Sequence, residues 1–136
     1  MNYNLFVYGT LKRSYGNNHL LNGQEFLGEA QTIENYIMEC RGIPYVYGVD
    51  HAIKGNKRIE GKPIHGEVWK VSALALARID RLEGHPRWYR RLQTPVHLNS
   101  KKRLMFHAWL YFMPVPVDLG VPTFGDHAVI SDRYER

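Results

Sequence analysis

The sequence predicts an α+β fold built on a mainly antiparallel or mixed sheet that can curl into a barrel. Three observations carry this reading. Strand-length segments of alternating or continuous apolar character recur along the chain. One stretch, residues 72–84, has helical spacing with a start and a stop signal. No strand–helix–strand rhythm repeats, which argues against a doubly wound sheet. The 136 residues suit a single domain, 1–136, large enough to bury a core without disulfide staples.

The elements follow in order. "NYNLFVYG" reads as a short strand in which Leu5 and Val7 alternate with Asn4 and Phe6, ended by Gly9. Residues 12–22 carry Ser, Gly and Asn and read as a loop with one helical turn around His19 to Leu21. "EFLGEAQTIENYIMEC" is strand-like but interrupted at Gly28. "GIPYVYGVDHAIKGN" carries many turn residues and reads as a loop with one short extended piece. "IHGEVWKV" reads as a strand. In "SALALARIDRLEG", Ser72 can cap a helix start because its hydroxyl can accept from an orphan backbone N–H. Ala75, Ile79 and Leu82 recur at helical spacing and are expected to face the core. Gly84 can take the left-handed conformation that ends the helix, and Pro86 forbids continuation. "YRRLQTPVHL" alternates, with Leu92, Thr94, Val96 and Leu98 on one face. "KKR", 101–103, is expected to be a solvated turn. "LMFHAWLYFM" is apolar on both faces and so reads as a central strand. "PVPVDLGVP" is extended and irregular.

Composition narrows the function classes. The net charge is +5, but the cations are scattered and no nucleic-acid motif is present, so nucleic acid is not an expected partner. The one cysteine, Cys40, can form no internal bridge and fits a reducing compartment. No apolar run approaches membrane-spanning length, and the start lacks a secretion signal. A cytoplasmic protein without membrane contact is the expectation. Seven histidines lie without metal-ligand spacing and there is no cysteine pair, so no metal site is expected.

Two stretches carry candidate chemistry. Glu83 falls in the last turn of the expected helix, at the negative end of its dipole, with Asp80 three residues earlier. Both would raise its pKa and suit it to proton transfer near neutral pH. Arg81, Arg87, Arg90 and Arg91 would lower it, and an exposed Glu83 paired with arginine is the alternative. In "VYGTLKR", Tyr8, Gly9, Thr10 and Leu11 follow a strand end. Successive free N–H groups there can form a nest for a carboxylate or oxyanion. A plain turn is the alternative. Tyr45, Tyr47, Tyr89 and Tyr111 are aromatic candidates for a pocket wall or for ordinary packing.

Together, "VYGTLKR", "GIPYVY", "HGEVWKV", "IDRLEGHPRWYRR" and "AWLYFM" resemble, in order, the γ-glutamyl cyclotransferase-like superfamily, and within it the γ-glutamylamine cyclotransferase branch. The resemblance implies a small mixed or antiparallel β-barrel flanked by a few helices. It implies a cofactor-independent reaction: the α-amine of a γ-glutamyl group attacks its own γ-carbonyl, giving 5-oxoproline and a free amine. Glu83 takes the place of the family's proton-transferring carboxyl. Tyr8, Gly9, Thr10 and Leu11 take the place of its anion-holding turn, and Tyr111 that of a pocket tyrosine. Tyr89 and Arg91 match a Tyr-x-Arg expected to support the Glu83 loop. The expected partner is a small γ-glutamyl amine or peptide, for example γ-glutamyl-ε-lysine. A γ-glutamyl-protected pathway metabolite, or a binding module of the same fold without turnover, stands as the alternative.

Overall fold

The computed structural model describes residues 1–48, 52–54, 57–58, 60–114, 117–118 and 129–135. Its strands are β1 (Asn2–Val7), β2 (Glu25–Thr32), β3 (Tyr36–Arg41), β4 (Ile43–Gly48), β5 (Ala52–Lys54), β6 (Lys57–Arg58), β7 (His65–Ser72), β8 (Arg90–Leu98), β9 (Lys101–Phe112), β10 (Val117–Asp118) and β11 (Val129–Ser131). One α-helix, α1 (Ala73–Glu83), and a short 3-10 turn (Asn18–Leu21) accompany them among the described residues. No described helix is long and apolar enough to cross a membrane.

Five strands close a barrel in the order β1-β7-β2-β8-β9. Antiparallel neighbours must alternate in direction, so a ring of five cannot be antiparallel throughout. The one parallel seam falls between β1 and β9, at Leu5 opposite Trp109; the other four pairings are antiparallel. Closure removes the unpaired edges that an open sheet exposes. β9 is thus flanked on both sides, as its two apolar faces predict. Two three-stranded sheets, β11-β3-β4 and β10-β5-β6, lie beside the barrel.

The core forms two clusters. Phe6, Val68, Val96, Ala108 and Leu110 from four barrel strands join one of them. Leu5, Val7, Trp69, Val71 and Tyr111 join the other, together with Ala75, Leu76 and Ile79 of α1. Phe6 is fully buried, so β1 is apolar on both faces rather than half polar.

Other expectations shift in detail. Residues 25–40 form two strands separated at 33–35, and the register slips between Phe26 and Gly28. "IPYVYG" is a full strand paired with β3, not a loop. The turn between β8 and β9 sits at 99–100, so Lys101 to Arg103 belong to a strand. Leu82 is half exposed, and Leu76 takes its place in the core. Most of "GVPTFGDHAVI" and part of "VDHAIKGN" lie outside the described residues.

The helix begins and ends where its signals lie. Ser72 accepts from the Ala75 N–H at 3.1 Å, and Gly84 (φ 69°) caps the other end with its N–H on Arg81. Ser72→Ala removes the acceptor and is expected to cost about 1 kcal/mol, read by urea denaturation.

Candidate active site

β1 delivers the chain into a turn, and α1 ends opposite it. Gly9 to Lys12 form this turn, closed by the Lys12 N–H donating to the Gly9 carbonyl at 3.0 Å. The N–H groups of Gly9, Thr10 and Leu11 donate to no described residue. They are three successive N–H groups without a described acceptor, as the expected anion-holding turn requires. Pro44 packs onto Gly9, its Cγ 2.8 Å from where a β carbon would stand, so a larger residue would push the turn off β4.

Lys12, which closes the turn, and Arg13, which follows it, anchor it to the body of the molecule. Glu67, buried within β7, accepts from the Arg13 N–H at 3.0 Å, the Arg13 Nε at 3.2 Å and the Trp69 Nε1 at 3.2 Å. Three donors satisfy a carboxylate that burial would otherwise penalise heavily. The Arg13 guanidinium also lies 3.9 Å from the centre of the Phe26 ring. Lys12 Nζ donates to the Tyr134 carbonyl at 2.5 Å. Inside the loop, Asn17 Nδ2 donates to Thr10 Oγ1 at 2.9 Å, which leaves the threonine's own hydroxyl hydrogen available to donate.

A cleft of about 260 Å³ opens on this turn. Tyr8, Gly9, Thr10 and Leu11 line it, and so do Glu83, Tyr89 and Tyr111. Two segments about seventy residues apart therefore share one hollow. Arg91 does not line it, and Tyr45 reaches it only through Tyr89, on which it stacks with ring centres 6.3 Å apart. Tyr47 is buried in the core.

Burial alone pushes the Glu83 carboxyl up to about 7. Asp80 is not among its causes. No hydrogen bond or ion pair joins this carboxyl to a described residue, so the arginine-paired alternative does not hold among them. A carboxyl that titrates near neutrality can both take and return a proton.

The arginine goes to Asp80 instead. Arg91 grips it with Nε at 2.8 Å and Nη2 at 3.1 Å, and the Tyr111 hydroxyl donates to it at 2.6 Å. Burial pushes Asp80 upward, but the bonds from Arg91 and Tyr111 outweigh it and hold the carboxyl below its usual range. The Tyr8 hydroxyl in turn donates to the Tyr111 carbonyl at 2.8 Å. Burial raises the pKa of Tyr8, Tyr89 and Tyr111, so these phenols stay neutral. A chain of bonds thus runs from Arg91 through Asp80 and Tyr111 to Tyr8, the residue that opens the turn.

Arg91→Met strips Asp80 of its cation while leaving it mostly buried. We expect a loss of about 2 kcal/mol at pH 7 by urea denaturation. Because the folded pKa of Asp80 is depressed, the pair stabilises above its unfolded value of 3.8. The difference between wild type and Arg91→Met should shrink as pH falls below that value and the carboxyl protonates.

Sequence reasoning missed Asn17, Glu67 and the role of Asp80. A lone glutamate inside the apolar strand "HGEVWKV" is a readable sign of a buried, satisfied carboxylate. Nothing in the sequence pairs Asp80 with Arg91, eleven residues on. Among the described residues, no group of three or more His, Cys, Asp or Glu could hold a metal ion.

A family model described as "Gamma-glutamyl cyclotransferase, AIG2-like" matches residues 5–129. A Methanocaldococcus jannaschii protein carrying the gamma-glutamylcyclotransferase name is 40% identical over 111 residues, spanning 81% of this chain and 83% of its own. Gamma-glutamylaminecyclotransferase C of Danio rerio is 36% identical over 146 residues, spanning 93% of this chain and 91% of its own. The crystal structure of an aig2-like protein from Mus musculus superposes with a TM-score of 0.75 at 21% identity, covering 98% of this chain and 88% of that one. That last likeness speaks to the fold.

Proposed function

The chain belongs to the gamma-glutamyl cyclotransferase, AIG2-like family, and from that premise we propose that it cyclises γ-glutamyl amines to 5-oxoproline and the free amine. One observation carries the reading: a carboxyl titrating near 7 shares a cleft with a turn of undonated N–H groups. The relatives' names support a cyclotransferase, and the name of the Danio rerio relative supports the amine class.

The reaction needs little beyond folding the substrate and moving protons. Nucleophile and electrophile share one molecule, so ring closure is already favoured once the chain is bent. In this reading the turn at Gly9, Thr10 and Leu11 holds the α-carboxylate or the developing oxyanion. The ionised Glu83 takes a proton from the α-ammonium. The freed nitrogen attacks the γ-carbonyl carbon, a C–N bond forms, and the carbonyl electrons move to oxygen. As they return, the bond to the amide nitrogen breaks and Glu83 donates to that nitrogen. Two protons leave the attacking nitrogen in all, and both end on the departing amine, which leaves as an ammonium. Glu83 is regenerated unchanged. Tyr111 and Tyr8 wall the site, and Arg91 acts at a distance as a positioning residue through Asp80.

A panel of γ-glutamyl amines and γ-glutamyl peptides, scored by mass for 5-oxoproline, tests the proposal. Product from amines supports it. Thermal stabilisation by the same compounds without product would assign the cleft to binding alone.

A further inference from the structure

We propose that the mouth of the cleft is a subsite for the amine half of the substrate, selecting γ-glutamyl amides whose nitrogen carries an extended apolar or aromatic body. This rests on the cyclising role proposed above and names the class of amine released.

Three large apolar side chains stand exposed around this one hollow: Trp88 at 59%, Leu82 at 46% and Ile43 at 44%. Single exposed apolar residues are ordinary. Three converging on a concave site are a patch, and such patches bind ligands. The buried members of the lining, Tyr8, Tyr89 and Tyr111, form its inner wall.

The patch is held in place before anything binds. The Trp88 N–H donates to the Gly84 carbonyl at 2.8 Å, and the Trp88 β carbon sits against Gly84, 2.9 Å from where a β carbon there would stand. Leu82 is fixed on the last turn of α1, and Ile43 opens β4. A preformed surface binds without the cost of ordering it.

Position ties the patch to the leaving group. Leu82 precedes Glu83 in the chain, and Trp88 packs on Gly84, which follows it. A nitrogen that takes a proton from Glu83 sits in the cleft that both apolar side chains also line, so its substituent has their surface to run over. No Lys, Arg or His is among the described lining residues, and the one titratable acid there is Glu83. Beyond Glu83 itself, a charge carried next to that nitrogen finds no counter-ion among the described lining residues, whereas an alkyl or aryl body finds contact.

The test compares L-γ-glutamyl-phenethylamide with L-γ-glutamyl-methylamide. We expect kcat/KM for the phenethylamide to be about tenfold higher, and Trp88→Ala to bring that ratio to within about threefold while Trp88→Phe keeps most of it. A ratio near one in the wild type, or one unchanged in Trp88→Ala, overturns the subsite. Dissociation constants for the two amides, measured by calorimetry in Glu83→Gln, should fall in the same order. If the wild type releases no 5-oxoproline while that order holds, the subsite stands and the cyclising role fails; equal constants overturn the subsite itself. A dimer that Trp88→Ala dissolves, with a flat amide preference, gives the rim to a second copy of the chain and overturns the proposal as well.

Discussion

Glu83→Gln is expected to lower 5-oxoproline formation by about a thousandfold while the fold survives. Glutamine keeps the volume and one oxygen but cannot carry the proton between the two nitrogens. The pH dependence gives an independent reading. The base must be ionised to accept the first proton, so the acid limb of kcat/KM should rise through about 7, where burial has moved this carboxyl. Stability should move the opposite way. An unfolded glutamate ionises near 4.5, the folded one near 7. Between those values the folded state holds a proton that the unfolded state has released, so stability falls as pH rises across that window. Glutamine has no such dependence. The variant should therefore match the wild type near pH 4 and exceed it at pH 8, by up to about 3 kcal/mol. Paired urea titrations at the two pH values check this. A variant that is inactive yet no more stable at pH 8 would mean that Glu83 is not held in an unfavourable, desolvated place. A variant with full activity would remove Glu83 from the chemistry.

Gly66→Ala is expected to cost about 3 kcal/mol, lowering Tm by about 10 °C. A β carbon at this position would stand 2.3 Å from the Val7 carbonyl oxygen and 2.7 Å from the Phe6 ring. The obstacle is backbone, which cannot rotate aside as a flexible side chain can. β1 is bonded to β7 from Asn2 opposite Ser72 to Val7 opposite Glu67, and Phe6 is fully buried, so both sides of the contact are pinned. The strain falls at the end of β1, one residue before Tyr8. Activity should thus fall along with stability, because the turn is carried on that strand. Thermal denaturation and 5-oxoproline release on the same preparation measure both. A Tm within about 2 °C of wild type would show that the strand end yields easily.

The legible parts were those with local causes. The helix could be read residue by residue, because a cap hydroxyl, a propensity run and a left-handed glycine act within one turn of themselves. The strand character of β1, β7, β8 and β9 followed from alternation and from apolar runs. Gly9 and Gly84 could be recognised as punctuation, although Gly9 owes its place to Pro44 from another strand. Leu82 shows the limit of periodicity. Its spacing fits the core face, yet the cleft opens where that face ends, and the side chain is left in solvent. "KKR" shows another: like charges suit a turn, but a two-residue turn at 99–100 leaves them on an exposed strand end.

By itself the sequence determined the α+β class and the helix with its caps, and its resemblance to a known family marked two short stretches as candidates for holding an anion and moving a proton. Those depend on neighbours in the chain, so the chain displays them. Only the tertiary structure decided that the two stretches face one cleft, that Arg91 serves Asp80 rather than Glu83, and that burial sets the Glu83 pKa. Burial and charge pairing are properties of space around a group. Residues seventy positions apart acquire them only when five strands close into a barrel and bring a strand end and a helix end to the same place.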